Sequence, residues 1–231
     1  VVLMNFIGLS IPILANNLIG IMLAAAIALI GVLYSLPKIS LKDKFIIKTC
    51  AIAIAMACSL LLGASVYLDY DIIMAFRVSG WAAGHIEGQI LYPLYSGLIL
   101  ALMVFVTSPL NDLGDIKGDK EAGRRTIPIV LGSTNTIRLS LFITLGIAFS
   151  PWALYASLIS SAGGDWVGLI NGVSFSAIAF PIIVSGTCIL IIVHLLHFSG
   201  RIEDQNFIRR SVSKKSMPLH LLLQLSLVIG C

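Results

Sequence analysis

The constraint that dominates this sequence is a succession of apolar stretches, nearly free of charge and each about as long as a bilayer is thick. A hydrocarbon core about 30 Å thick is crossed by roughly 20 helical residues. Stretches of that kind lie near 1–16, 17–36, 45–68, 88–109, 127–157, 168–198 and 216–231, which predicts seven spans. The expected fold class is all-α, a polytopic transmembrane helical bundle forming one domain over residues 1–231. Hydrophobic residues make up 58% of the chain, charged residues 11%, and the mean hydropathy is +1.01. A single soluble core could not bury so much apolar side chain, so lipid must act as part of the solvent. Strict alternation is absent and the apolar runs are too long for barrel strands, which argues against a membrane β-barrel.

The charges report orientation. Lys38, Lys42, Lys44 and Lys48 flank one connection, Lys117, Lys120, Arg124 and Arg125 lie in a second, and Arg201, Arg209, Arg210, Lys214 and Lys215 fill a third. With alternating spans these three emerge on one side. The opposite connections, near 15–17, 69–87 and 158–167, hold Arg77 as their one cation, beside Asp69, Asp71, Glu87 and Asp165. The positive-inside rule makes the three basic connections cytoplasmic. Because these cations flank membrane spans, the net charge of +4 points to no nucleic-acid partner. The Arg209-to-Lys215 run is expected to fix topology and touch anionic membrane lipid. Cys50, Cys58, Cys188 and Cys231 show no CxxC pair and are expected as free thiols.

The densest chemistry runs from Asn111 to Thr126: Asn-Asp-Leu-Gly-Asp-Ile-Lys-Gly-Asp-Lys-Glu-Ala-Gly-Arg-Arg-Thr. If the preceding helix continues through Asp112, Asp115 and Asp119, their spacing places the three carboxylates within about 60° of arc on one face. Three such anions repel one another unless a hard divalent cation sits among them. Mg²⁺ commonly takes one or two carboxylates and keeps waters and substrate oxygens, so this spacing suits a metal shared with a diphosphate. The Lys and Arg that follow would complete an anion site, Arg by a bidentate fork and Lys as a mobile point charge. A solvated charged loop is the plainer reading of the same residues. The ligand spacing of an EF-hand is not reproduced.

Asp112-x-x-Asp115-x-x-x-Asp119, followed by Ala122-Gly123-Arg124-Arg125-Thr126 and Ile127-Pro128-Ile129-Val130-Leu131-Gly132, resembles the second aspartate-rich motif of the UbiA superfamily of intramembrane prenyltransferases. Tyr34-Ser35-Leu36-Pro37, with Lys42 downstream, is similar to the family's Tyr-Ser-x-Pro signature, although Lys38 and Ser40 stand where Pro and Arg are often found. The resemblance implies a nine-helix fold of which these spans are the third to ninth. It also implies that two helices and a first aspartate-rich motif precede Val1 in an N-terminally incomplete chain.

The resemblance further implies Mg²⁺-dependent transfer of a prenyl group from an isoprenyl diphosphate to a lipophilic acceptor, either an aromatic quinone precursor or an archaeal glycerol-phosphate lipid. Asp112, Asp115 and Asp119 are then the catalytic and metal-binding residues. Lys42, Arg124 and Arg125 are expected on the diphosphate, with Asn111 and Lys120 as second choices. Tyr34 and Phe105 are candidates to face the prenyl cation, and Tyr34 reads equally well as an interfacial belt residue. His85 and Glu87 are expected in a solvated loop, and His194, His197 and His220 in interfacial packing. Two other classes compete. A CDP-alcohol phosphotransferase needs Asp-Gly after its first aspartate pair, whereas Ile116 follows Asp115. A transporter needs ionisable residues near the midplane of broken helices, whereas charge here is concentrated in connections.

Overall fold

In hydrocarbon every backbone N–H and C=O must find a partner within the chain, and for single apolar stretches the helix is the structure that provides it. The computed structural model follows this rule with α1 (Leu18–Ser35), α2 (Phe45–Arg77), α3 (Ala83–Leu113), α4 (Ile116–Glu121), α5 (Ile127–Leu131), α6 (Ser133–Ser161), α7 (Phe175–Ser199) and α8 (Met217–Gly230). The structure describes residues 8, 10–36, 41, 44–77, 83–161, 175–202, 204, 207–208 and 217–230, with side chains outside 66–77, 83–92, 155, 157–161, 175–179, 217, 220 and 226–230. No strand occurs among the described residues.

Five helices among the described residues are long and apolar enough to cross a membrane: Leu18–Ser35, Phe45–Ser65, Pro93–Leu113, Ser133–Leu154 and Phe180–Ser199. The polytopic all-α reading therefore holds. Of the seven spans expected, half of the first lies outside the described residues, and the last corresponds to the 14 residues of α8.

Two boundaries differ from the sequence reading. The expected connection at 69–87 is helical through Arg77 and again from Ala83, so Asp69, Asp71, His85 and Glu87 lie on helices rather than in a loop. Charge marks where a span leaves hydrocarbon, not where its hydrogen-bond ladder stops. The 33 residues of α2 extend about 50 Å, well beyond a bilayer core. The expected span at 127–157 is two helices, because Gly132 adopts φ +83 between α5 and α6. Only glycine takes that conformation cheaply.

The chain forms two compact units, Val1–Val104 and Phe105–Cys231. In the first, the expected turn near residues 15–17 is built by two asparagines. Asn16, at φ 54, ends a helical turn over 10–14, with Asn16 N–H donating to Ile13 O and Asn17 N–H to Pro12 O, both at 3.0 Å. This is a Schellman closure in which Asn supplies the left-handed residue. Asn17 then caps α1: its Oδ1 accepts the Gly20 N–H at 2.5 Å. Its Nδ2 reaches α2, donating to Ser65 O at 3.1 Å and Ser65 Oγ at 3.2 Å. One buried amide thus ends a turn, starts a helix and ties two helices together.

In the second unit, α6 and α8 pack on α7, and α5 on α6. Lipid tails remove the usual hydrophobic drive between helices, leaving close packing and hydrogen bonds to select partners. Thr136, Ser140 and Thr144 form a fully buried stripe at four-residue spacing on α6. Thr136 and Thr144 return their hydroxyls to the carbonyls of Gly132 and Ser140, each at 2.8 Å. Pro151 cannot donate to the Ile147 carbonyl, and Ser150 Oγ takes its place at 2.9 Å. Ser185 Oγ on α7 donates to Ala148 O at 2.8 Å and accepts the Trp152 indole N–H at 2.9 Å. Phe142, Phe149, Ile189, Val193 and Leu196 point outward, the exposed apolar surface that lipid would cover. Cys50, Cys58 and Cys188 are free, as expected, and Cys231 lies outside the described residues.

Candidate functional site

The charged segment opens as α3 stops. Gly114 N–H turns back to Asn111 O at 3.1 Å and Asp115 N–H to Asp112 O at 3.2 Å, so the helix ends at Leu113 and a new one, α4, begins at Ile116. The expectation that Asp112, Asp115 and Asp119 share one face of a continuous helix fails at this turn. Gly114 is a weak helix residue, and aspartate favours turn and cap positions over helix interiors.

The three carboxylates occupy different environments. Asp112, in the last turn of α3, is buried at 8% exposure, and Asp119, on α4, at 5%. Asp115 is exposed at the N-cap of α4, where its side chain makes no capping hydrogen bond. Its carboxylate instead lies over Gly118: a Cβ there would come within 2.8 Å of Asp115 Oδ1. The missing side chain of Gly118 is what lets Asp115 fold back.

Asp119 has a built partner. Gly123, at φ +68, closes α4 as a second Schellman turn, with Gly123 N–H donating to Lys120 O at 3.1 Å and Arg124 N–H to Asp119 O at 2.9 Å. The turn brings Arg124 back over the residue five positions earlier, and Arg124 Nη1 meets Asp119 Oδ1 at 3.3 Å. The guanidinium is half exposed while the carboxylate is buried. Arg124 can therefore reach a ligand from solvent while neutralising a carboxylate held inside.

Asn111, Lys120 and Arg125 are exposed. Tyr34 is half-buried in the last turn of α1, in the first unit, and Lys42 lies outside the described residues. Phe105 sits half-buried on α3. Thr126, which the sequence reading passed over, is 4% exposed, and its Oγ1 has no hydrogen-bond partner among the described residues. It stands at the N-cap of α5 without using its hydroxyl there. A Thr two residues before a Pro resembles an ordinary cap, so sequence offered no signal that this hydroxyl is left unused.

Among the described residues no three His, Cys, Asp or Glu side chains gather closely enough for one ion. The donors are nevertheless hard carboxylate oxygens beside Lys and Arg. That set suits a hard divalent cation whose remaining ligands are waters and substrate phosphate oxygens, rather than an all-protein cage.

The model of the UbiA prenyltransferase family matches residues 1–185, which include the whole charged turn. The chain is also similar to the somaliensene A/B synthase of Streptomyces somaliensis, with 29% identity over 110 residues. That match covers 48% of this chain and 33% of the synthase, so the aligned part spans about a third of the relative's length. No solved structure matches.

Proposed function

Because this chain belongs to the UbiA prenyltransferase family, and so to a family of membrane prenyltransferases, we propose that it transfers a prenyl group from an isoprenyl diphosphate to a lipophilic acceptor, dependent on Mg²⁺, at the cytoplasmic face. The observation that carries this reading is the buried Asp119 carboxylate held 3.3 Å from a half-exposed Arg124 at the end of an apolar span. A buried acid and a solvent-reaching guanidinium form a site for a ligand rich in phosphate oxygens and cations.

Asp112, Asp115 and Asp119 are the residues that would hold Mg²⁺, one or two of them to an ion. The ion would supply charge neutralisation for the departing diphosphate. Arg124 presents a planar fork to phosphate oxygens, and Arg125 and Lys120 add positive charge as the allylic C–O bond breaks. Asn111 would donate an amide hydrogen bond to the diphosphate. Fully buried Leu113 and buried Ile127 flank the turn with apolar side chains, which favours exclusion of water from the cation. The acceptor is a quinone precursor or a glycerol-phosphate lipid, the two classes suggested by the resemblance.

The similarity to a protein named for its product, with no acceptor in the name, favours a second reading. In it the allylic cation is captured by a double bond of its own chain, and loss of a proton gives the neutral product. Both readings begin with ionisation of the same diphosphate.

The test uses the full protein in liposomes with labelled prenyl diphosphate. D112N, D115N and D119N should each weaken Mg²⁺-dependent diphosphate binding by roughly tenfold or more, the scale of losing a charge-assisted contact. Unchanged affinity in all three variants would overturn the assignment. Product formed without any acceptor would favour internal quenching, and strict acceptor dependence would favour transfer.

A further inference from the structure

Beyond residues 1–185, the part that matches the family, the chain builds a second polar site. Where α7 ends, Ser199, Gly200, Arg201, Ile202 and Asp204 line an open pocket of about 500 Å³. Arg201 and Asp204 are each tied to an aromatic cluster beside it. Phe207 packs edge-on against His197 and Phe198, at centroid distances of 5.4 Å and 6.1 Å. Arg201 is drawn over Phe207, its Cζ 5.0 Å from the ring centroid. Asp204 Oδ1 accepts the Phe207 N–H at 3.0 Å, which fixes the carboxylate and leaves Oδ2 unused by any described residue. The cation and the anion line one pocket, and among the described residues neither is engaged by an opposite charge.

The pocket sits at the membrane boundary. Ser199 is the last residue of an apolar span. The Ser185-to-Ala148 hydrogen bond lies fourteen residues before the end of α7 and fifteen after the start of α6. These distances are about 21 Å and 22 Å along the two axes. Consecutive spans run in opposite directions, so the end of α7 and the start of α6 share one membrane face. The aspartate turn leads into α6 on that face.

A separated cation and anion at lipid headgroup depth match a ligand that carries both charges in reverse. The geometry points to a binding site for a phosphodiester bearing a primary ammonium, the headgroup of phosphatidylethanolamine. Arg201 takes the phosphate through N–H groups that the ring contact leaves free. Asp204 Oδ2 accepts from the ammonium, which a trimethylated headgroup cannot donate. The neighbouring Arg209, Arg210, Lys214 and Lys215 would instead favour a purely anionic lipid, so headgroup choice separates the pocket from the basic run.

The experiment is native mass spectrometry of the delipidated full chain, with phosphatidylethanolamine, phosphatidylcholine and phosphatidylglycerol of identical acyl chains. Wild type should retain the ethanolamine lipid about fivefold better than the choline lipid, the effect of one charge-assisted hydrogen bond at a partly wet site. D204N, which keeps an acceptor for the Phe207 N–H, should bring that ratio to about one. R201Q should lower retention of both lipids, and R201K, which keeps the cation over the ring, should lower it less. Competition by soluble glycerophosphoethanolamine would support the headgroup chemistry with a free ligand as its source. Failure to compete, with the ethanolamine preference intact, would support a lipid held with its chains. Equal retention of ethanolamine and choline lipids by wild type, a preference for phosphatidylglycerol, or an unchanged ratio in D204N would overturn the proposal.

Discussion

Replacing Gly123 by alanine isolates a backbone effect from a steric one. A Cβ at this position would meet no atom within 4 Å, so the substitution removes no contact and creates no clash. The φ of +68 remains, and holding an L-residue there costs about 1–2 kcal/mol. Alanine also restricts the unfolded chain, which offsets about 0.4–1 kcal/mol. The expected net loss is therefore about 1 kcal/mol, concentrated in the turn that carries Arg124 back to Asp119. Asparagine is larger but tolerates the left-handed conformation, so G123N should lie nearer to wild type than G123A does. Reversible unfolding in mixed micelles gives the stabilities, and diphosphate affinity in the full protein gives the effect on Arg124. If asparagine proves as damaging as alanine, or more so, the loss follows side-chain size and the conformational argument is refuted.

Two further perturbations probe neighbouring features. G118A places a methyl group within 2.8 Å of Asp115 Oδ1 and should swing that carboxylate outward, weakening Mg²⁺-dependent diphosphate binding while leaving the melting temperature within about 2 °C of wild type; unchanged affinity would show that the Asp115 orientation is immaterial. N17A removes the cap on α1 and both hydrogen bonds to Ser65, and should cost about 2 kcal/mol in unfolding measurements, from roughly 1 for the cap and about 0.6 for each interhelical bond.

The features most legible in the sequence were those set by solvent. Apolar length located five of the seven expected spans, and the connection expected near 15–17 falls where Asn16 closes one helical turn and Asn17 caps the next helix. Charge served less well as a marker of helix ends. Asp69 and Arg77 lie on α2 because a helix satisfies its backbone in water as well as in lipid. Within the site, three-and-four spacing suggested one helical face, but Gly114 and the turn preference of aspartate broke the helix, leaving Asp112 and Asp119 buried and Asp115 exposed. The Asp119 and Arg124 pairing was out of reach of periodicity altogether. It depends on one glycine adopting a positive φ, a property that residue type permits without declaring.

The way Arg124 is tethered bears on how a reaction cycle of the proposed kind would end. A released diphosphate is more highly charged than its prenyl ester and should cling to a guanidinium, making product departure slow. Asp119 is a built-in competitor for the same guanidinium, attached through five residues of turn rather than arriving from solution. Its effective concentration is set by the Gly123 closure and does not fall as the product accumulates. Each departing diphosphate would thus be displaced by a carboxylate already in place, and the ion pair at 3.3 Å would be the state to which the proposed turnover returns.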